Sequence, residues 1–227
     1  MSLDYTNVEI IKQRLLNAHN PEIAKIRGNF FEKESAFFRE HITNKTVLVA
    51  GSGLGHDAFV LAENNKDVLG IDMVPKFLEY ASDKAYELGL KNVMFFEQDM
   101  LKLDPAYNGP LGEFDVAVLN MGTISDFEGE GNVINILFWL LNYSKEVYFD
   151  FYPPTKTGLE IRKKMYEEEG WKNVKIENNV VVSDDGLFSK SLSKDEIKKI
   201  AGVLMADIEF HTLCEFAEIA VIRKKPL

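Results

Sequence analysis

A glycine-rich segment, Gly51-Ser52-Gly53-Leu54-Gly55, is the first feature of the sequence that could take part in chemistry. It lies between a β-branched apolar run at residues 46–50, which predicts a strand, and an apolar helical pattern at residues 58–62. Glycines in such a turn let the backbone pass close to a ligand at the amino end of the helix. Many glycine turns are purely structural, but this position in a repeating α/β pattern favours a nucleotide-type ligand.

Two carboxylates follow the next two predicted strands. Asp72 ends a strand at residues 67–71, where a carboxylate can accept hydrogen bonds from both hydroxyls of a ribose. Asp99 follows a strand at residues 93–96; its carboxylate could accept a hydrogen bond from an adenine amino group, and Met100 could cover the ring. Each acid alone is equally well explained as a helix cap or a loop residue. Together with the glycines, however, they place three adenosine-binding groups at one edge of a sheet.

The elements that would position these residues alternate between strand and helix. Two further strands are predicted at residues 114–119 and 146–151, and helices at residues 75–89 and 133–141. Strands separated by helices indicate a parallel sheet with right-handed crossovers. The last two strands, at residues 206–212 and 216–223, have a link too short for a parallel crossover, so they should form an antiparallel hairpin.

Helices precede the first strand, and an α/β tail follows the fifth. Helical spacing predicts one helix at residues 7–20 and a second helical region at residues 21–42, in which Gly28 and Asn29 offer a break. Two or three helices are therefore expected before the first strand. The pattern of the tail predicts a helix at residues 159–169, an extended region at residues 174–182 and a turn at residues 184–186. Ser193 and Glu196 then form a capping box that predicts the start of another helix.

The composition narrows the classes of function. A formal net charge of -10 argues against a nucleic-acid partner, because phosphate backbones are repelled on average. The single cysteine, Cys214, has no cysteine partner for a disulfide or a zinc site, and no metal is expected. The sequence shows neither a signal peptide nor the ~20 apolar residues that span a bilayer, so a cytoplasmic location without membrane contact is expected.

The length is that of one α/β domain. We expect a single domain over residues 1–227, with an N-terminal helical lid region at residues 1–44 and the core at residues 45–227. The sequence does not decide between a monomer and a homodimer.

Residues 46–62, 68–81, 92–104 and 114–120 together resemble the successive motifs of class I S-adenosylmethionine-dependent methyltransferases. The resemblance covers about half of the chain and implies a Rossmann-like, doubly wound sheet of seven mostly parallel strands. The predicted C-terminal hairpin agrees with that fold. It also implies S-adenosylmethionine as cofactor, with the following roles. Gly51, Ser52 and Gly53 would line its methionine half, Asp72 would hold the ribose, Met73 and Met100 would flank the adenine, Asp99 would bind the adenine amino group, and Asn120 and Met121 would lie near the sulfonium and the acceptor.

One position departs from that family. In that family an acidic residue is common two positions before the first glycine, but this chain has Val49. The acidic side chain that usually anchors the cofactor's ammonium group is therefore missing at this position. A subset that includes thiopurine and thiol methyltransferases has an apolar residue there and an Asp after the last glycine, which Asp57 could match. Ala50 and Ser52 differ from the Pro and Cys expected in that subset.

The expected reaction is methyl transfer to a small-molecule acceptor, which mainly needs the acceptor to be aligned with an already electrophilic methyl group. No catalytic residue is assigned. A base is needed only if the acceptor must lose a proton, and the candidates by chemistry are His19, His41, His56 and His211. The aromatic residues Phe30, Phe31, Phe37 and Phe38 could form a lid over the acceptor pocket or belong to the core, and the core is favoured for Phe37 and Phe38. Tyr152 could border the acceptor pocket.

Two other functions fit part of the pattern. An NAD-dependent oxidoreductase would share the glycine turn and the ribose-binding acid, but its fingerprint needs a small residue where this chain has His56. A non-catalytic S-adenosylmethionine-binding module is kept open by Val49. Binding of cofactor without turnover of any acceptor would favour the module.

Overall fold

The computed structural model describes residues 8–102 and 113–225. The predicted start of the first helix at residue 7 and the last two residues of the third motif, at 103–104, lie outside these ranges. The helices are α1 (Val8–Ala18), α2 (Lys25–His41), α3 (His56–Ala62), α4 (Pro75–Glu87), α5 (Glu130–Tyr143), α6 (Lys156–Glu168) and α7 (Lys194–Val203). The strands are β1 (Thr46–Ala50), β2 (Asp67–Asp72), β3 (Val93–Glu97), β4 (Phe114–Leu119), β5 (Ser144–Phe151), β6 (Lys175–Glu177), β7 (Val180–Val182), β8 (Phe188–Lys190), β9 (Ala206–Cys214) and β10 (Ala217–Lys224).

Seven of the strands form one sheet in the order β3-β2-β1-β4-β5-β10-β9. Strands β1 to β5 are parallel, whereas β10 pairs antiparallel with both β5 and β9. The Rossmann-like, doubly wound sheet with an antiparallel C-terminal hairpin is therefore confirmed. Strands β2 and β3 lie on one side of β1 and strands β4 and β5 on the other, so the strand order switches between β1 and β4. In such sheets ligands bind beyond the carboxyl ends of the strands at this point.

Apolar side chains on both faces of the central strands explain why they form a buried sheet. Leu48 and Ala50 of β1 belong to the cluster that packs under α5 and α7. Val47 and Val49 point to the opposite face and join the cluster that includes residues of α2 and α3. Val49 is only 1% exposed, so the position that is often acidic in the family is part of the core in this chain.

The second helical region forms one helix, so two helices precede β1 in the described part of the chain, which is one of the two alternatives that the sequence left open. Helix α2 runs without interruption from Lys25 to His41, and the N–H of Gly28 donates to the carbonyl of Ala24. A glycine inside a helix costs only about 1 kcal/mol relative to alanine. The buried face of α2 continues past it through Phe30, Phe31 and Phe38, and this packing outweighs the local preference.

The extended region predicted at residues 174–182 is interrupted by a turn that the sequence did not predict. The chain turns at Asn178, which adopts a positive φ of 56°, and the segment forms the two antiparallel strands β6 and β7. The predicted turn at residues 184–186 then leads into β8, which pairs with β7 to complete a second, three-stranded sheet. Strands of three residues are too short to show a clear alternation in sequence. The capping box at Ser193 and Glu196 is confirmed as the start of α7.

Helix α1 lies across the ends of the parallel strands. Ile11 packs with Leu54 of the glycine turn and with Phe77 at the start of α4. Arg14 of α1 is ion-paired to Asp185 in the tail, so the helix is attached on both sides. None of the helices in the described ranges is long and apolar enough to cross a membrane.

Candidate functional site

A cavity lies at the carboxyl ends of β1, β2 and β3 and the segment that follows β4, under α1. One end is formed by the glycine turn and the segments after β2 and β3, and the other end by the tail between α6 and β8. Six residues predicted to bind the cofactor line the cavity: Gly51, Gly53, Asp72, Met73, Asp99 and Met100. The structure thus brings these residues to one place.

Backbone conformation explains the glycines of the turn. Gly51 has a φ of +70°, and a β-carbon on it would lie 3.0 Å from Cγ2 of Thr123. Gly55 has a φ of +91° immediately before α3, and a β-carbon there would lie 2.6 Å from the ring of Phe59. These positions require glycine both for the left-handed backbone and for the close approach of neighbouring side chains.

Asp72 links the glycine turn to the end of β2. Its carboxylate accepts one N–H from Gly53 and one from Val74, each at 2.9 Å. Burial raises the pKa of Asp72, although these N–H groups act in the opposite direction. A carboxylate has about four acceptor positions, so the two that are filled from the backbone leave capacity for hydroxyl groups of a ligand.

The segment after β3 forms the side wall of the cavity. Asp99 accepts the N–H of Leu101 at 2.9 Å and is ion-paired to Lys102 at 3.1 Å. Met73 is 45% exposed, and the terminal methyl group of Met100 would lie 3.4 Å from a β-carbon on Gly51. Two flexible apolar side chains thus lie near the acid, an arrangement suited to a planar heterocycle with a polar edge.

Ser52 and Asn120 are placed differently. They are only 5% and 2% exposed, and neither is among the described residues that line the cavity. The hydroxyl of Ser52 and both side-chain polar atoms of Asn120 have no hydrogen-bond partner among the described residues. The backbone around Asn120 does reach the site, since Met121 and Thr123 line the cavity.

Three buried carboxyl groups lie behind the glycine turn. Glu34 of α2 is 1% exposed, and neither of its oxygens has a hydrogen-bond partner in the described ranges. Burial, and then the charges of Asp57 and Asp150, raise the pKa of Glu34 well above its ordinary value. Burial also raises the pKa of Asp57 to about 7 and that of Asp150 to about 7, in Asp150 against the effect of the hydrogen bond from the Gly122 N–H. Near neutral pH the group therefore retains protons.

The four histidines form two separate groups. His19 lines the cavity and stacks on His56 and on Phe31, with ring centroids 4.7 Å away in each case. Burial lowers the pKa of His19 to about 3 and that of His56 to about 4, so both rings are neutral at physiological pH. His41 and His211 pack against Phe37 and are not among the described residues that line the cavity.

The aromatic residues considered for a lid belong to the core. Phe30 and Phe31 are 1% and 5% exposed and join a cluster with α6 and the second sheet. Tyr152 is fully buried in the same cluster, and its hydroxyl accepts a hydrogen bond from Arg27 at 3.1 Å. It is not among the described residues that line the cavity.

Sequence reasoning missed the far end of the cavity. This end is lined by Arg14, Arg27, Asp126, Tyr166, Glu169, Trp171 and Leu187. Arg27 donates to Glu169 at 2.8 Å, and the guanidinium of Arg14 lies 4.0 Å from the ring centroid of Trp171. These contacts join residues more than 140 positions apart, and no local pattern in the sequence reports them. An arginine in a mostly apolar helix face was the one available signal, at Arg14.

Comparison with known proteins identifies the family. The family described as a methyltransferase domain matches residues 42–175, which is more than half of the chain. The chain is 33% identical over 85 residues to a 23S rRNA (uracil-C5) methyltransferase of Shewanella sediminis, covering 37% of this chain and 19% of that protein. It is 27% identical over 166 residues to the arsenite methyltransferase of Rattus norvegicus, covering 68% of this chain and 42% of that protein. The chain thus spans less than half the length of these two relatives.

A solved structure supports the fold. The magnesium protoporphyrin IX methyltransferase of Synechocystis PCC 6803, with bound SAH, superposes with a TM-score of 0.67 at 18% identity, covering 97% of this chain and 96% of that chain. Given the family match, the order of the strands and the glycine turn, the chain belongs to the methyltransferase domain family, within the class I S-adenosylmethionine-dependent methyltransferase superfamily.

Proposed function

We propose that this chain is an S-adenosylmethionine-dependent methyltransferase and that its small-molecule acceptor binds in the far end of the cavity, between the cofactor and the tail. The observation that carries this proposal is the single cavity with two chemically different ends. One end offers carboxylates and methionines, and the other offers Tyr166, Trp171 and Leu187.

The residues present fit S-adenosylmethionine. Asp72 has acceptor capacity for the ribose hydroxyls, and Asp99, Met73 and Met100 provide a polar edge and apolar faces for the adenine. Gly51 and Gly53 leave room for the methionine part, with Ser52 and Asn120 behind them. When bound there, the cofactor supplies an electrophilic methyl group, and the protein's part is to align the acceptor with it and to exclude water.

Enclosure supports a small acceptor. Ile11, Arg14, Leu15, Ala18 and His19 of the N-terminal region line the cavity, so α1 acts as a lid in this proposal. A nucleic acid or a folded protein would have to displace that helix to reach the cofactor. The formal net charge of -10 also opposes a nucleic-acid acceptor.

Isothermal titration with S-adenosylmethionine, S-adenosylhomocysteine and NAD tests the cofactor assignment. We expect binding of the two adenosyl ligands, no binding of NAD, and at least a tenfold loss of affinity in Asp72→Ala. Asp83→Ala is the matched control, since Asp83 is an exposed acid on α4 that does not line this cavity. Binding of NAD alone, or equal losses in both variants, would contradict the proposal. Cofactor binding without turnover across a broad acceptor screen would instead support a binding module.

A further inference from the structure

Asp126 lines the far end of the cavity, on the side that faces the glycine turn. It ends the short 3-10 helix Thr123–Asp126, in which residues three apart share a face, and both Thr123 and Asp126 line the cavity. Thr123 lies against the glycine turn, since its Cγ2 would be 3.0 Å from a β-carbon on Gly51. Asp126 therefore follows the proposed cofactor site by one helical turn, in the direction of the tail.

The other charges at this end of the cavity have partners. Arg27 is ion-paired to Glu169 at 2.8 Å, and Arg14 is ion-paired to Asp185. Asp126 makes no hydrogen bond or ion pair with any residue in the described part of the chain. Burial is the main reason why the pKa of Asp126 is raised well above its ordinary value. The acceptor end thus contains one carboxyl group whose hydrogen-bonding capacity is unused.

The rest of this end is apolar or aromatic. Tyr166, Trp171, Phe127 and Leu187 line it, and the face of Trp171 is covered by the guanidinium of Arg14. An anionic acceptor would raise the pKa of Asp126 further and keep the carboxyl group protonated, so that it could not accept a proton. A purely apolar acceptor would leave the carboxyl group desolvated without a partner. A ligand with an apolar or aromatic body and one N–H donor satisfies both parts of the site.

We propose that the acceptor is an amine with an aromatic or bulky apolar body, and that Asp126 binds its nitrogen and accepts its proton. This inference rests on the proposed function. In the transfer, the lone pair of the neutral amine forms the new N–C bond while the S–C bond breaks with its electron pair remaining on sulfur. The proton released from nitrogen passes to a carboxylate oxygen of Asp126 and then to solvent. Asp126 touches the reacting nitrogen and is a catalytic residue in this scheme.

Matched sets of probes test the acceptor class. Each set shares one body and differs only in the functional group: benzylamine, benzyl alcohol and benzoate; phenethylamine, 2-phenylethanol and phenylacetate; tryptamine, tryptophol and indole-3-acetate. Binding to the complex with S-adenosylhomocysteine is measured by titration, and methylation is measured with S-adenosylmethionine. In at least one set we expect the amine to bind about tenfold or more tightly than its alcohol and its acid, and to be methylated.

Two variants separate this inference from the proposed function. Asp126→Asn should remove the preference for the amine while cofactor affinity stays within about twofold of wild type. Glu130→Gln, an exposed acid four residues further on, should change neither. If the cofactor does not bind, the proposed function fails. If the cofactor binds but no amine is preferred in any set, or if Asp126→Asn keeps the preference, the assignment of Asp126 and the amine class is wrong.

Discussion

Removing one member of the buried ion pair between Arg27 and Glu169 should be among the most destabilising single substitutions in the molecule. Both side chains are 5% exposed, and the nitrogen and oxygen are 2.8 Å apart. Removing one member of such a pair leaves an uncompensated buried charge, which costs about 3–5 kcal/mol. In a chain of this length, a loss of 1 kcal/mol lowers the melting temperature by about 2–4 °C. The variants Arg27→Met and Glu169→Leu should therefore each have a melting temperature about 6–20 °C below that of the wild type.

The double variant decides whether the charges or the packing dominate. Arg27→Met combined with Glu169→Leu removes both charges and keeps apolar volume, so its loss should be well below the sum of the single losses. Tyr152→Phe removes only the hydroxyl that accepts from Arg27 at 3.1 Å and should lose about 0.5–1.5 kcal/mol. Calorimetry and urea unfolding without ligand measure all four variants. Single losses below about 1 kcal/mol, or strictly additive losses, would refute this reasoning.

Three further predictions concern pH and backbone. Because burial raises the pKa of Asp57 to about 7, the folded protein keeps a proton that the unfolded chain has lost, and stability should fall as pH rises from about 4 to about 7. Asp57→Asn should flatten this slope, by at most about 1.4 kcal/mol per pH unit, in urea unfolding at pH 5 and pH 8; an unchanged slope would contradict it. Burial lowers the pKa of His19 to about 3, so stability should also fall as pH decreases below about 6.5. His19→Phe keeps the ring stack and should reduce this loss of stability, as measured by thermal unfolding between pH 4 and 7. Gly122 has a φ of +72° and a β-carbon on it would lie 2.5 Å from the ring of Tyr152, so Gly122→Ala should destabilise by more than about 1–2 kcal/mol, whereas Gly131→Ala, in open space on α5, should be neutral or stabilising.

The sequence was sufficient for the parts of the molecule whose determinants are local. The glycine turn, Asp72 and Asp99 follow directly after three strands, and the rule that parallel strands share a carboxyl edge places them together. The hairpin of β9 and β10 followed from the short link between the strands. In each case a few neighbouring residues carry the information.

The parts that could not be predicted depend on contacts between distant segments. Gly28 alone indicates a possible break in the helix. The helix continues because Phe30 and Phe31 next to it pack against α6 and the second sheet, and the sequence does not show these contacts. The far end of the cavity combines α1, α2 and the tail, which are joined by the ion pairs of Arg27 with Glu169 and of Arg14 with Asp185. Asn120 follows β4 as expected, but its side chain is buried. The sequence could not predict this, because it does not show which side of the backbone faces the cavity.

The segment between β5 and α7 leaves and re-enters the core at one point. The N–H of Leu192 donates to the carbonyl of Tyr152 at 2.9 Å, so the ends of the stretch at residues 153–191 meet. This stretch contains α6 and the whole second sheet, with Tyr166, Glu169, Trp171 and Leu187. This stretch could therefore be exchanged as a unit. A chimaera that carries the corresponding stretch of a related protein would have a different wall at the far end of the cavity and the same order of the seven strands. The exchanged stretch would have to be compatible with Arg14 and Arg27, and in related chains the residues at positions 14 and 185, and at 27 and 169, should change in pairs.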